Sequence, residues 1–243
     1  MSENAPTHAL LLPQVDQAIF KLRPDFQLVS INVSHFQWSD TVPVSISAFV
    51  KNAEEQVGLP DPERDAHLMD WREAYRAFGA KPKRTLSSAE ALVKRASRDG
   101  ALPKINTLVD IYNAVSILHG LPVGGEDRAR YAGHPRLIRA DGTEGFETTK
   151  AGEPHVEHPQ VGEVIWRDEI GVTCRRWNWR QGARTRIEQG ASELWFVLEA
   201  LASLPDKRLT EATQQMVDLI QSLSPAAVVE TLVIEQTSPA VPD

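Results

Sequence analysis

The segment Ile105 to Leu118 constrains this chain most. Apolar residues fill most of it, Asn106 stands where a helix N-cap belongs, and Gly120 and Pro122 follow where a helix must end. The spacing predicts a helix with one narrow polar stripe, Asn106, Asp110, Asn113 and Ser116, at intervals of three or four. A solvated stripe usually carries Lys and Glu. This one carries short amides, a hydroxyl and a single Asp, which suit fixed hydrogen bonds to something held close, although an ordinary solvated face fits the spacing equally well.

Around that helix the other patterns are mixed. Short strands are expected at Leu28 to Val33 and Thr41 to Ile46, and helices at Ala48 to Val57 and Ala66 to Phe78. Ser87 and Glu90 form a capping-box pair opening a helix to about Arg98. Val164 to Trp166 and Val172 to Trp177 read as a hairpin, and Leu209 to Leu223 as a last helix. Strands and helices do not alternate regularly, so the expected fold class is α+β with mixed sheets and packed helices. One domain over residues 1–236 is expected, followed by a mobile tail from Thr237 to Asp243.

Composition matters mainly for partners. The net charge of −7 over 243 residues argues against broad nucleic-acid binding, which relies on cations displacing counterions from phosphates. A confined basic patch remains open: Arg175, Arg176, Arg180, Arg184 and Arg186 fall between Val172 and Ile187 with no acid among them, and Lys81, Lys83 and Arg84 form a second cluster. Cys174 is the single cysteine, so no internal disulfide is possible and a reducing, cytoplasmic setting is expected. No secretory signal or membrane-length apolar run is read, so no membrane partner is expected.

Chemistry-bearing residues concentrate in two places. After the helix, Gly124 and Gly125 would let backbone approach a ligand, with Glu126 and Asp127 beside them; a tight turn is the plainer explanation of the two glycines. In the second stretch, an extended Val172 to Gln181 would put Thr173, Arg175, Trp177 and Trp179 on one face. Arg176 and Arg180 would lie on the other. Arginine interleaved with tryptophan can grip an unpaired RNA end, or can pack as cation–π pairs inside the fold. The two arginines beside Cys174 would lower its thiol pKa. His155 and His158 sit between Pro154 and Pro159, a poor frame for a metal, and no cofactor motif is found, so neither metal nor cofactor is expected.

The pieces Trp71-Arg-Glu-Ala-Tyr75, Phe78-Gly79, Pro82-Lys83, Ser87-Ser88, Asn106 to Asp127 and Cys174 to Gln181 together resemble the editing domain of the phenylalanyl-tRNA synthetase β subunit, the B3/4 domain, and more closely its free-standing relatives. The resemblance covers about Trp71 to Leu201. It implies a deacylase that clears mischarged tRNA in trans, with the tRNA acceptor end as partner and an aminoacyl-tRNA synthetase as a further candidate. It places Asn113 where the family's pocket supplies an amide; with the residues read above, Asn113, Glu126 and Asp127 are expected as catalytic and Gly124, Gly125, Asp110 and Cys174 as substrate-binding. Arg175, Arg176, Trp177, Trp179, Arg180, Lys83 and Arg84 would meet RNA. Where the family pattern has Pro-x-His-x-x-Asp, this chain has Pro122-Val-Gly-Gly-Glu-Asp127, so Gly124 replaces a pocket histidine and tyrosine specificity does not carry over. A non-catalytic binding module or a synthetase-associated protein are the rival expectations.

Overall fold

A computed structural model of the chain describes residues 10–150 and 152–236. The chain runs β1 (Gln14–Val15), α1 (Gln17–Leu22), β2 (Gln27–Ser34), α2 (Val44–Gln56), α3 (Pro62–Ala77), α4 (Ser88–Asp99) and α5 (Thr107–His119). It continues through β3 (Val123–Asp127), a 3-10 turn at Arg128–Arg130, β4 (Arg136–Arg139), β5 (Phe146–Lys150), β6 (Glu153–Glu157), β7 (Val164–Arg167), β8 (Val172–Arg175) and β9 (Arg180–Gln181). Last come β10 (Leu194–Ala200), α6 (Asp206–Leu223) and β11 (Val228–Glu235). The fold is α+β.

Two sheets dominate. One has the order β11-β2-β10-β3, antiparallel throughout; the other has the order β1-β4-β7-β8-β9, with β1 parallel to β4. One face of the first sheet packs Val29, Ile31, Phe196 and Leu198 against Leu108, Ile111 and Val115 of α5 and Met216 and Ile220 of α6. Its other face joins a second core with Trp71, Trp166, Trp177 and Trp195. The aromatic core therefore lies between the sheets, where the functional cavity also lies.

Local chemistry explains the helix ends. Asn106 caps α5 by accepting from the Val109 amide at 3.0 Å, and Gly120 ends it at φ 72°, a left-handed position where a Cβ would also strike the Arg64 side chain at 2.4 Å. Ser87 caps α4 through the Glu90 amide, but Glu90 does not return the bond. Its buried carboxylate instead accepts from Arg72 Nε at 2.9 Å and meets Lys94 at 2.7 Å.

Two sequence expectations are corrected. Thr41 to Ile46 is not a strand: Pro43 occupies the N-cap of α2, so the β-branched residues around it lead into a helix. The extended run expected to Trp177 stops at Arg175, because Arg176 and Trp177 both take positive φ, 48° and 68°. Strands β10 and β11 were not expected. The tail from Thr237 lies outside the described residues.

Candidate functional site

Strand alternation builds the floor of the site. Trp195, Val197 and Glu199 share one face of β10, while across the ladder Glu126 stands opposite Trp195 and Gly124 opposite Val197. The facing wall comes from Trp166 of β7, Cys174 of β8, Gln181 of β9 and the turn Trp177 to Trp179. Ser88 and Leu92 of α4 and Tyr112 and Asn113 of α5 close the sides. The cavity measures about 290 Å³.

Among the described residues its wall carries two carboxylates, Glu126 and Glu199, and neither Lys nor Arg. Glu199 is 2% exposed and accepts from Trp166 Nε1 and Asn178 Nδ2, each at 2.9 Å. Asn178 is itself oriented by the Tyr75 hydroxyl, which donates to its Oδ1 at 2.9 Å. Burial holds the Glu199 carboxyl up at about 7, against the pull of the Asn178 and Trp166 hydrogen bonds. Glu126 accepts from the Thr185 hydroxyl at 2.5 Å and from the Tyr131 hydroxyl, and burial likewise raises its pKa. Both acids thus receive hydrogen bonds from neutral donors only. Burial favours the protonated form of both acids, and a cation entering the cavity, where no Lys or Arg lines the wall among the described residues, would favour their ionised form.

The side-chain polar groups of Ser88, Asn113 and Trp177 on the wall lack hydrogen-bond partners among the described residues. Asn113 is 7% exposed and its side-chain amide makes no hydrogen bond among the described residues. Trp177 is fully buried, set edge-on to Trp71 at 5.2 Å, and its indole Nε1 has no acceptor. The Trp177 indole N–H also lies close enough to the Glu199 carboxylate to help lower its pKa, so of these two it is Asn113 that is left to meet a ligand.

Of the residues singled out from sequence, Asn113, Gly124, Glu126, Cys174, Trp177 and Trp179 converge on this cavity. Others do not. Gly124 and Gly125 lie in strand β3 rather than a turn, and Gly125 faces away, where a Cβ would sit 2.8 Å from the rings of Phe196 and Tyr112. Asp127 caps the 3-10 turn through the Ala129 amide at 3.0 Å, and Asp110 accepts from the Ile105 amide at 3.1 Å; both serve backbone ends away from the cavity. The Cys174 thiol is pushed well up, not down, by burial and by the Glu126 charge. Its arginine neighbours are turned elsewhere.

The basic strand is corrected similarly. Arg175 is buried and held bidentately by Glu163 at 2.7 and 2.8 Å, with Glu157 at 2.9 Å, so it is not free for RNA. Trp177 is a cavity wall with no exposed face. Arg176 lies 4.5 Å over the Trp179 ring, the cation–π packing that was the alternative. Arg180 donates to Thr148 at 2.6 Å beside the β5-β6 hairpin. Lys83 and Arg84 are exposed. Sequence reading missed Glu199, Trp166, Asn178 and Trp195. Glu199 did carry a signal: it is the one acid in the apolar run Leu194 to Leu201.

No curated protein matches this chain in sequence. An N-terminal fragment of the phenylalanyl-tRNA synthetase β subunit from Pyrococcus horikoshii is similar in structure, with a TM-score of 0.47 and 10% identity. The match covers 98% of this chain and 58% of that one, so the chain spans little more than half of that fragment. The family model described as the B3/4 domain matches residues 70–224, which include every wall residue of the cavity. The chain belongs to the B3/4 domain family.

Proposed function

We propose that the chain is a trans-acting deacylase that hydrolyses the ester between a mischarged amino acid and the terminal ribose of a tRNA. The observation that carries this reading is the pair of buried carboxylates, Glu126 and Glu199, in an aromatic cavity without a cation. An aminoacyl ester brings an α-ammonium, which such a cavity favours, and a reactive carbonyl that a neutral amide can orient. Glu126 holds the ammonium. Asn113 orients the attacking water or the ester carbonyl, and Gly124 leaves the wall beside them open. Glu199 lies four residues along β10 from the residue opposite Glu126, about 13 Å of strand, and meets the far part of the amino acid.

Water oxygen adds to the ester carbonyl, the bond to the ribose oxygen breaks, and the proton ends on that oxygen. The ester is already activated, so holding water and carbonyl together supplies much of the acceleration. The test is a deacylation assay of the purified protein against a panel of correctly and incorrectly charged tRNAs. Faster ester loss from at least one mischarged tRNA is expected. No cleavage of any ester at any protein concentration would leave a binding module instead.

A further inference from the structure

Tyr75 of α3 is not on the cavity wall; its ring is buried in the aromatic core with Trp71, Phe78 and Trp177. Its hydroxyl makes a single hydrogen bond among the described residues, donating to Asn178 Oδ1 at 2.9 Å across 103 positions of sequence. Asn178 and Glu199 do line the cavity, and Asn178 Nδ2 donates to Glu199 Oε2 at 2.9 Å while Trp166 Nε1 donates to Oε1 at 2.9 Å. The donors therefore point one way, from Tyr75 through Asn178 to Glu199. Asn178 follows two residues of positive φ, Arg176 at 48° and Trp177 at 68°, and its backbone N–H bonds the Arg176 carbonyl at 2.9 Å. That turn fixes where Asn178 stands, but not which end of its amide meets the acid.

A primary amide turned end for end keeps its shape and exchanges a carbonyl acceptor for an NH2 donor. Turned here, Asn178 would give its NH2 to the Tyr75 oxygen and its carbonyl to Glu199. The phenol proton would then be buried without an acceptor, and an ionised Glu199 would face a carbonyl oxygen, both of which are costly. Only a protonated Glu199 fits the turned amide, because it can donate to Oδ1. The phenol cannot escape the conflict by losing its proton: burial and the nearby Cys174 and Glu199 hold the Tyr75 pKa well above its ordinary value.

We propose that Tyr75 is a positioning residue: its hydroxyl proton holds the Asn178 amide with Nδ2 toward Glu199, and so keeps Glu199 a hydrogen-bond acceptor on the cavity wall. What Glu199 does for an aminoacyl ester rests on the deacylase reading; the hold of Tyr75 on the amide does not. Removing the hydroxyl acts on both forms of Glu199. The ionised form loses support, because Asn178 Oδ1 is left without its donor. The protonated form gains it, because the amide is free to turn and accept the acid's proton. Both effects move the Glu199 titration upward. The other titratable groups around it do not reverse that sign: Cys174 on β8 is kept neutral by burial, Glu126 stands at the other end of the wall, and the Arg176 guanidinium is turned onto the Trp179 ring.

The test is Tyr75→Phe, which keeps the ring and removes the oxygen. Glutamate is labelled with carbon-13 at the side-chain carboxyl, the Glu199 resonance is assigned by its loss in E199Q, and its titration is followed by NMR in both proteins. The midpoint, about 7 in the unmodified protein, should rise by at least about one pH unit in Y75F, a tenfold change in the protonation equilibrium. A midpoint that stays or falls overturns the proposal, since a residue that only fills space would lower stability without moving it. Should Y75F unfold, the unmodified protein carries the test. The Asn178 side-chain NH2 should then show a stronger nuclear Overhauser effect to the Trp166 indole N–H, which meets the same carboxylate, than to the Tyr75 ring; the opposite ranking overturns the proposal. Ester hydrolysis by the two proteins is measured over the same pH range. A raised midpoint without hydrolysis by either protein keeps the role of Tyr75 and removes the deacylase; hydrolysis with an unmoved midpoint does the opposite.

Discussion

Replacing Glu199 with Gln isolates the electrostatic cost of the buried acid. A glutamate carboxyl with an ordinary value of 4.5 is held at about 7 in the folded chain by burial. The folded state therefore binds the proton more tightly than the unfolded state, so this group lowers stability as pH rises from about 4.5, and the loss is complete above about 7. At about 1.4 kcal/mol per pH unit, the full effect is about 3 kcal/mol. Gln carries no titrating group and keeps the size. It also brings an NH2 toward Trp166 Nε1 or Asn178 Nδ2, each now donating at 2.9 Å, a mismatch that costs about 1–3 kcal/mol at every pH. The pH dependence of the difference is therefore the diagnostic. In urea unfolding from pH 5 to pH 8, the stability of E199Q relative to the unmodified protein should improve by about 2–3 kcal/mol, whatever its value at pH 5. Other titrating groups cancel in the difference. A gap constant to within about 0.5 kcal/mol across that range would show that Glu199 is not desolvated as described.

Asn113→Ala should lower deacylation by about ten- to a hundredfold while changing unfolding free energy by less than about 1 kcal/mol, because its side-chain amide has no hydrogen-bond partner among the described residues; loss of stability with normal turnover would make it structural. Gly125→Ala should destabilise by about 1–3 kcal/mol in urea, since its Cβ would press on Phe196 and Tyr112. A neutral result would mean the two rings shift freely. With Gly124 in the wall and two acids facing the cavity, relative kcat/KM should favour mischarged esters with a polar or cationic side chain over the tyrosyl ester on phenylalanine tRNA; a clear preference for the tyrosyl ester refutes that ordering.

Helix α5, its cap and the residues just after it were legible because their signals are local: a capping amide, an apolar run, a terminating glycine. That stretch supplied Asn113, Gly124 and Glu126 to the cavity. The same local logic misread the glycine pair as a turn. Only the approach of Phe196 and Tyr112, distant in sequence or across a helix, explains why Gly125 lacks a side chain. The arginine and tryptophan strand failed for another reason. Period-two alternation needs extended backbone, and nothing in Arg176-Trp177 announces two left-handed residues, which Gly or Asn would have signalled. Glu199 stood out as an acid in an apolar run, but its meaning depends on Trp166 and Asn178, brought to it by tertiary packing.

Strand β2 pairs on one side with β10 and on the other with β11, both from the far end of the sequence. During synthesis β2 leaves the ribosome about 160 residues before the first of these partners exists, an interval of roughly 8–30 s at about 5–20 residues per second. For that time its run Leu28 to Val33, buried in the finished protein, has no ladder to join. The floor of the pocket cannot assemble before Leu194 to Ala200 emerges. In a growing chain the pocket is thus among the last things to form, and until then β2 presents unpaired edges on both sides.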